Sequence, residues 1–469
     1  MTSATLRMLD HRVRYLVTIR KALGTLLTLN FAVCWAAPIF IQGRLFHMGL
    51  HRIVRPIFSL LDRSAALRRF AATYVYRRAV HVDYFATAIF LTGGAAISLG
   101  TVFGWQIRFG ALPWWLVAAY YLAWVGFGCR GMGTAWTFAH REGHVAAGRM
   151  YRLWISKHIG NIFENRVGVW YGIVPHIFST SHILLHHRLN GGKGDPVYVW
   201  DLDRTKFSDL LLYQWRFFVY MTGFSSLSEF RRQRGAHQAI QRAYATLRRG
   251  MLIYWVYVPA AIITLLLATG SGAASAMAFL FLIYFQPLFV MSSFLALVTL
   301  AQHGFLEYDD AGRNIKHVAA ITILEGDDDS FGEDDHLAHH YFPNVTHDRL
   351  LELQPSQERE WARWHGAVFK GTSIIEIAIL LQLGRIDRLI DRYYVDFSRE
   401  LDRDELVALF TRRAQRREMS YEDYEFRYLP GLRERVRELV KRGVCENENR
   451  AYIYQAHHNF DPDLGIAHN

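Results

Sequence analysis

Residues 111–137 read ALPWWLVAAYYLAWVGFGCRGMGTAWT, and just beyond them stands His140-Arg141-Glu142-Gly143-His144. An apolar run with the single charge Arg130 has the composition of a membrane arm, since about 20 apolar residues cross the hydrocarbon core. Its polar exit carries two histidines four apart. Upstream, Tyr84–Trp105 is equally apolar, and only the turn Gln106–Gly110 separates the two runs. The pattern repeats: Met251–Thr269, a turn through Gly270–Ala274, and a return over Ser275–Leu300. Turns this short make each pair of arms antiparallel neighbours. The fold class these segments predict is all-α integral membrane, with four transmembrane helices in two hairpins and a cytoplasmic helical cap.

Orientation follows from charge. The two turns hold only Arg108, whereas the chain before the first hairpin carries Arg44, Arg52, Arg55, Arg63, Arg68, Arg69, Arg77 and Arg78. The positive-inside rule puts that basic segment in the cytoplasm and both turns outside. A net charge of +11 suits anionic lipid beside the arms, and no nucleic-acid module signature is present. Cys34, Cys129 and Cys445 are too dispersed for a disulfide framework or a metal pair.

Four regions follow. Residues 1–83 form a basic N-terminal region with a possible embedded helix at 22–41, interrupted by Asn30 and Pro38. Residues 84–345 form the membrane core. Residues 346–384 are an interfacial segment whose apolar stretch Ile374–Leu383 is too short to span. Residues 385–469 are a charged, helical cytoplasmic region, as in Leu432–Val440. Gly93, Gly94, Ala95 and Ala96 suit close helix approach, or plain packing.

Histidines carry the chemistry. Beyond His140 and His144, the chain has His182-Ile183-Leu184-Leu185-His186-His187 and His336-Leu337-Ala338-His339-His340. With 22 histidines in 469 positions, chance supplies about one pair at spacing four and about 0.05 of a given triplet. One pair means little; two triplets in the same chain do not arise by chance. Residues three and four apart share a helix face, so each cluster aims at least two imidazoles at one point. His303 lies just past the fourth arm, as His140 lies past the second. His176 and His317 are ambiguous, either standing behind the metal ligands or filling an ordinary structural role, and the other isolated histidines read as surface or core residues.

Imidazole suits Zn, Cu, Fe and Ni alike. A zinc peptidase needs His-Glu-x-x-His, but here the glutamate is Glu142, turned off the histidine face. Nine histidines also exceed what one catalytic zinc uses, and two redox ions fit the count better.

In order and placement these boxes resemble the membrane fatty acid desaturase family: two histidines after the second membrane helix, three before the third, three after the fourth. The segments Gly332–His336 and His339–Pro343 resemble the third box of acyl-CoA desaturases, and His303 matches their additional histidine. The resemblance implies that His140, His144, His182, His186, His187, His303, His336, His339 and His340 bind two iron ions. It implies O2 as co-substrate and a fatty acyl or lipid substrate that most often gains a double bond. A hydroxylase, acetylenase or alkene-forming decarboxylase shares the same chemistry, and a metal-binding membrane protein or transporter is the non-enzymatic alternative. The chain departs from the acyl-CoA enzymes in three ways. The first box is one residue shorter and the second one longer, and Thr299 stands where those enzymes have an iron-associated asparagine.

Neither a His-Pro-Gly-Gly haem signature nor a Gly-x-Gly-x-x-Gly fingerprint occurs, so a separate ferredoxin, rubredoxin or cytochrome is implied as electron donor. Arg231, Arg232, Arg234, Arg248 and Arg249 suit an acidic carrier or anionic lipid. The polar loop Arg188–Pro196 either positions a carrier headgroup, reaches back to the histidines, or is an ordinary turn.

Overall fold

The computed structural model describes residues 3–145, 150–187, 191, 194–233, 238–308, 315–326, 334–341, 347–416, 438 and 441–443. The chain is mostly helical, at 76%. It divides into two compact units, one of Met1–Leu29, Leu184–Tyr220 and Ser292–Asn469, the other of Asn30–Ile183 and Met221–Met291. Four helices among the described residues are long and apolar enough to cross a membrane: Tyr15–Cys34, His81–Phe109, Gln238–Ala268 and Ala273–Gln302.

The second unit holds the two turns, and they meet. The Gln106 amide donates to Ser271 Oγ (3.1 Å), Ser275 Oγ (3.0 Å) and the Gly110 carbonyl (2.8 Å). Ser275 Oγ also donates to that carbonyl, at 2.6 Å. Buried polar groups need such partners, so this cluster fixes both turns at one end of the unit.

Three arms differ from the sequence expectation. The arm read over 111–137 is broken, because Trp114–Val125 ends where Gly126, Gly128 and Cys129 all take positive φ, and a second helix, Arg130–His144, begins. Twelve residues rise only about 18 Å, short of the hydrocarbon thickness. Near the N-terminus the helix long and apolar enough to span is Tyr15–Cys34, and the stretch read as a possible embedded helix at 22–41 is interrupted at Trp35 before Ala36–Leu45. Trp35 is fully buried, stacked on Tyr121 (4.0 Å between ring centroids) and bonded through Nε1 to Gln286 (3.1 Å). The third arm starts earlier, as the basic amphipathic stretch from Gln238 runs on into apolar helix. Its 31 residues rise about 46 Å, more than the hydrocarbon thickness of about 30 Å.

Within the fourth arm Leu280–Phe285 is wound as a π-helix, which disturbs the regular carbonyl pairing. The hydroxyls of Tyr121 and Tyr120 donate to Leu282 O (3.1 Å) and Ile283 O (3.4 Å) at that point. Gly93 and Gly94 have no atom within 4 Å of where a Cβ would stand. Neither marks a close helix contact.

The first unit adds a short parallel strand pair to an otherwise helical chain. β1 (Thr322–Leu324) pairs with β2 (Val368–Lys370), with Ile323 opposite Phe369. β-Branched and aromatic residues favour this local extension. One hydrophobic core runs from Val298 through Phe305, Ile323, Phe369 and Ile377 to Phe410 and Ala414. Ile374–Gln382 packs into it through Ile377, Ala378 and Leu381, leaving Ile379 exposed, and the sequence boundary at 384/385 falls inside the same core. Arg204, wholly buried, donates to the carbonyls of Val199 (3.2 Å), Leu202 (2.7 Å), Gly304 (3.2 Å) and Arg413, tying this core to the residue after His303. Of Leu432–Val440, only Glu438 lies among the described residues.

Candidate metal centre

All nine candidate histidines are buried, none more than 7% exposed. In the second unit, His140 and His144 share one face of the Arg130–His144 helix, being four apart. Their Nε2 atoms lie 3.1 Å from each other, and His140 Nε2 is 2.7 Å from His182 Nε2. Trp136 stacks on the His140 ring at 4.9 Å, one helical turn earlier.

In the first unit, His186, His303, His336 and His340 offer four ring nitrogens that all lie within 4.8 Å of one another. His303 Nε2 is 3.1 Å from His336 Nε2, which is 3.1 Å from His340 Nε2. The His187 ring stacks on His340 at 4.3 Å and lies 4.9 Å from His339.

The second box has one residue more than the acyl-CoA pattern, and its helix explains how that is accommodated. Ile177–His187 is wound as a π-helix. A turn then closes after about five residues instead of four. His182 and His187, five apart, stand one turn above each other, as residues four apart do on an α-helix. The insertion widens the turn rather than rotating a histidine away.

Two rings in the first unit have their tautomer fixed from outside. His186 Nδ1 donates to Asp195 Oδ2 at 2.9 Å, and His303 Nδ1 donates to the Ala319 carbonyl at 2.9 Å. With the proton on Nδ1, each Nε2 presents a lone pair inward. Asp195 is itself wholly buried and oriented by the N–H groups of Gly191 (2.7 Å) and Val197 (2.9 Å). Of the readings open for the 188–196 loop, its described part does the second: it reaches back to a histidine. Burial, followed by the neighbouring His186, pushes His303 down to about 3, so its ring is neutral at physiological pH. His303 Nε2 thus turns its lone pair toward His336 Nε2 at 3.1 Å, and converged ring nitrogens of this kind can hold a cation among them. The donor set therefore fits metal, and it is nitrogen throughout.

Glu142 takes no part in either cluster. Its carboxylate accepts from the Tyr151 hydroxyl and from the N–H groups of Ile162 (3.0 Å) and Glu164 (2.7 Å). Burial pushes it up to about 8 against those donors. So engaged, it is not the general base of a zinc peptidase. His176 has positive φ and donates its backbone N–H to Asn165 Oδ1 (3.1 Å), while the His317 carbonyl accepts from Ala367 N–H. Neither joins a group of convergent ring nitrogens among the described residues.

Sequence reasoning named all nine histidines but not Asp195, Glu142 or Glu164 as their supports. The pair Asp195-Pro196 closing a glycine-rich loop was the available signal for the first. The family model described as fatty acid desaturase matches residues 112–372, a span that contains every one of the nine. No curated protein and no solved structure matches.

Proposed function

Because the chain belongs to the fatty acid desaturase family, we propose that it is an O2-dependent di-iron oxidoreductase that introduces a double bond into a fatty acyl chain. The observation that carries this reading is the convergence of buried imidazole nitrogens in both units, with His186 and His303 anchored from outside in the first. In this reading His140, His144, His182, His186, His187, His303, His336, His339 and His340 hold the two irons. When bound, the irons supply O2 activation and the oxidising power to remove hydrogen from an unactivated methylene pair.

The chain's own residues do the rest. Asp195 and the Ala319 carbonyl hold His186 and His303 in the tautomer whose Nε2 lone pair can bind metal. Burial of all nine rings excludes water. The apolar arms dissolve and align the acyl chain. Two electrons come from the substrate and two from a donor, so that O2 leaves as two waters; a ferredoxin, rubredoxin or cytochrome is the donor proposed. Arg231, Arg232, Arg248 and Arg249 are exposed and basic, which suits an acidic carrier or anionic lipid. Arg234 lies outside the described residues.

Protein purified in detergent from iron-replete cells is expected to contain about two irons per chain, as the histidine count implies. Elemental analysis finding stoichiometric zinc instead would sink the di-iron reading. For topology, the turns 106–110 and 270–274 face away from the cytoplasm and the histidines face it. Single cysteines placed at Arg108 and at Arg403 test this with a membrane-impermeant reagent. Labelling from outside intact cells is expected at 108 alone, and labelling at 403 would overturn the arrangement.

A further inference from the structure

Two carboxylates in the second unit are buried without an ion pair among the described residues: Glu142, 1% exposed, and Glu164, fully buried. An unpaired buried carboxylate is costly unless several donors surround it. The donors come from the chain that connects the first histidine helix to the second. Glu142 takes the N–H of Ile162 and of Glu164 itself, so the first helix grips the segment bearing Glu164. Asn161 spans the same gap, donating to the Glu142 carbonyl (3.3 Å) and to Glu164 Oε2 (2.8 Å).

Glu164 then reaches forward. Its Oε1 accepts the N–H of Ser179 at 2.7 Å, in the first turn of the Ile177–His187 helix and three residues before His182. Such first-turn N–H groups have no partner inside their own helix, and an anion satisfies them best. The two histidine helices touch at this spot: a Cβ on Gly143 would stand 2.5 Å from Phe178 Cβ and 3.0 Å from Ser179 N. Phe178 packs against both rings, 5.6 Å from His140 and 5.8 Å from His182.

From this geometry we infer that Glu164 is a positioning residue for the metal centre, fixing the height of His182 against His140 by anchoring the Ser179 N–H. The inference rests on the reading that these histidines bind metal. A metal site tolerates ligand displacements of only about 0.2 Å, and Glu164 fastens the helix one turn from the ligand it must place.

The test uses the full-length protein in detergent, loaded with iron or with Co2+, whose visible spectrum reports ligand geometry. Metal content, metal affinity and helical content are measured on Glu164→Gln, Glu164→Ala and Glu164→Asp. The glutamine keeps an acceptor at the right reach and is expected to retain both metals and the wild-type spectrum. The alanine is expected to weaken one metal by about 10–100-fold, the usual range for residues behind a ligand, with a changed spectrum and unchanged helical content. Aspartate keeps the charge but retracts it by one methylene, and is expected to alter the spectrum even should the alanine variant not fold. Wild-type spectrum and affinity in the aspartate or alanine variant would overturn the inference alone. Equal losses in the glutamine and alanine variants, with lower helical content in both, would also overturn it by showing a general folding role. Wild-type protein that takes up no metal would overturn the metal reading, and this inference with it.

Discussion

His303→Ala is expected to abolish turnover and to release one iron while leaving helical content intact. No short motif contains His303, yet its ring is held on both nitrogens. Nδ1 donates to the Ala319 carbonyl, Nε2 lies 3.1 Å from His336 Nε2, and the His186 ring stands 5.1 Å away. Replacing a residue that merely supports a ligand costs about 10–100-fold in metal affinity or activity, so a ligand itself should cost at least that. Asp195→Asn should fall within that range, because the amide still fills the loop but holds the His186 Nδ1–H less strongly. His317→Ala, at a site outside both clusters, should leave iron content near wild type. Elemental analysis and turnover of the three variants check the ranking, and full iron content in His303→Ala would move the ninth ligand elsewhere.

Gly143→Ala is expected to do comparable damage through a single methyl group. The new Cβ would stand 2.5 Å from Phe178 Cβ and 2.9 Å from the Phe178 carbonyl carbon, where no rotamer change removes the clash. Overpacking of this kind costs about 1–3 kcal/mol. Because the contact joins the helices of His140 and His182, relief must come from separating the ligands. Iron content should fall toward one per chain, and the thermal midpoint should drop by a few degrees. Gly133→Ala on the same helix is the control, since nothing lies within 4 Å of its Cβ position. There alanine should be neutral or stabilising by about 0.5–1 kcal/mol through helix propensity. Equal behaviour of the two variants would remove the close contact from the account.

What the sequence disclosed is what one-dimensional patterns encode. Apolar length marked the arms, histidine spacing marked eight of the buried rings, and position just past the fourth arm marked His303. The break at Gly126–Cys129 was legible in principle, because three glycines fall within 126–131, but the surrounding hydrophobicity hid it. The extent of Tyr15–Cys34 was obscured by Arg20 and Lys21, which hydropathy alone treats as a boundary. The π-helix of the second box leaves no composition signal, since winding there answers to packing against neighbours. Asp195, Glu142 and Glu164 act through partners up to twenty-two positions away, as Glu142 does on the Glu164 N–H. Ile374–Gln382 reads as an interfacial helix by length, yet its core is assembled from residues far upstream in the chain, such as Val298 and Phe305.

The central claim is O2-dependent oxidation of an acyl chain, and acyl-chain mass spectrometry of a host expressing the protein tests it most directly. Cells carrying wild type or His303→Ala are grown in parallel, in air and under strict anaerobiosis, with the same fatty acid supply. The account predicts acyl chains lacking two hydrogens in the wild-type culture in air, and none in the other three cultures. Wild-type product formed equally without O2, or no acyl change in air, would contradict it.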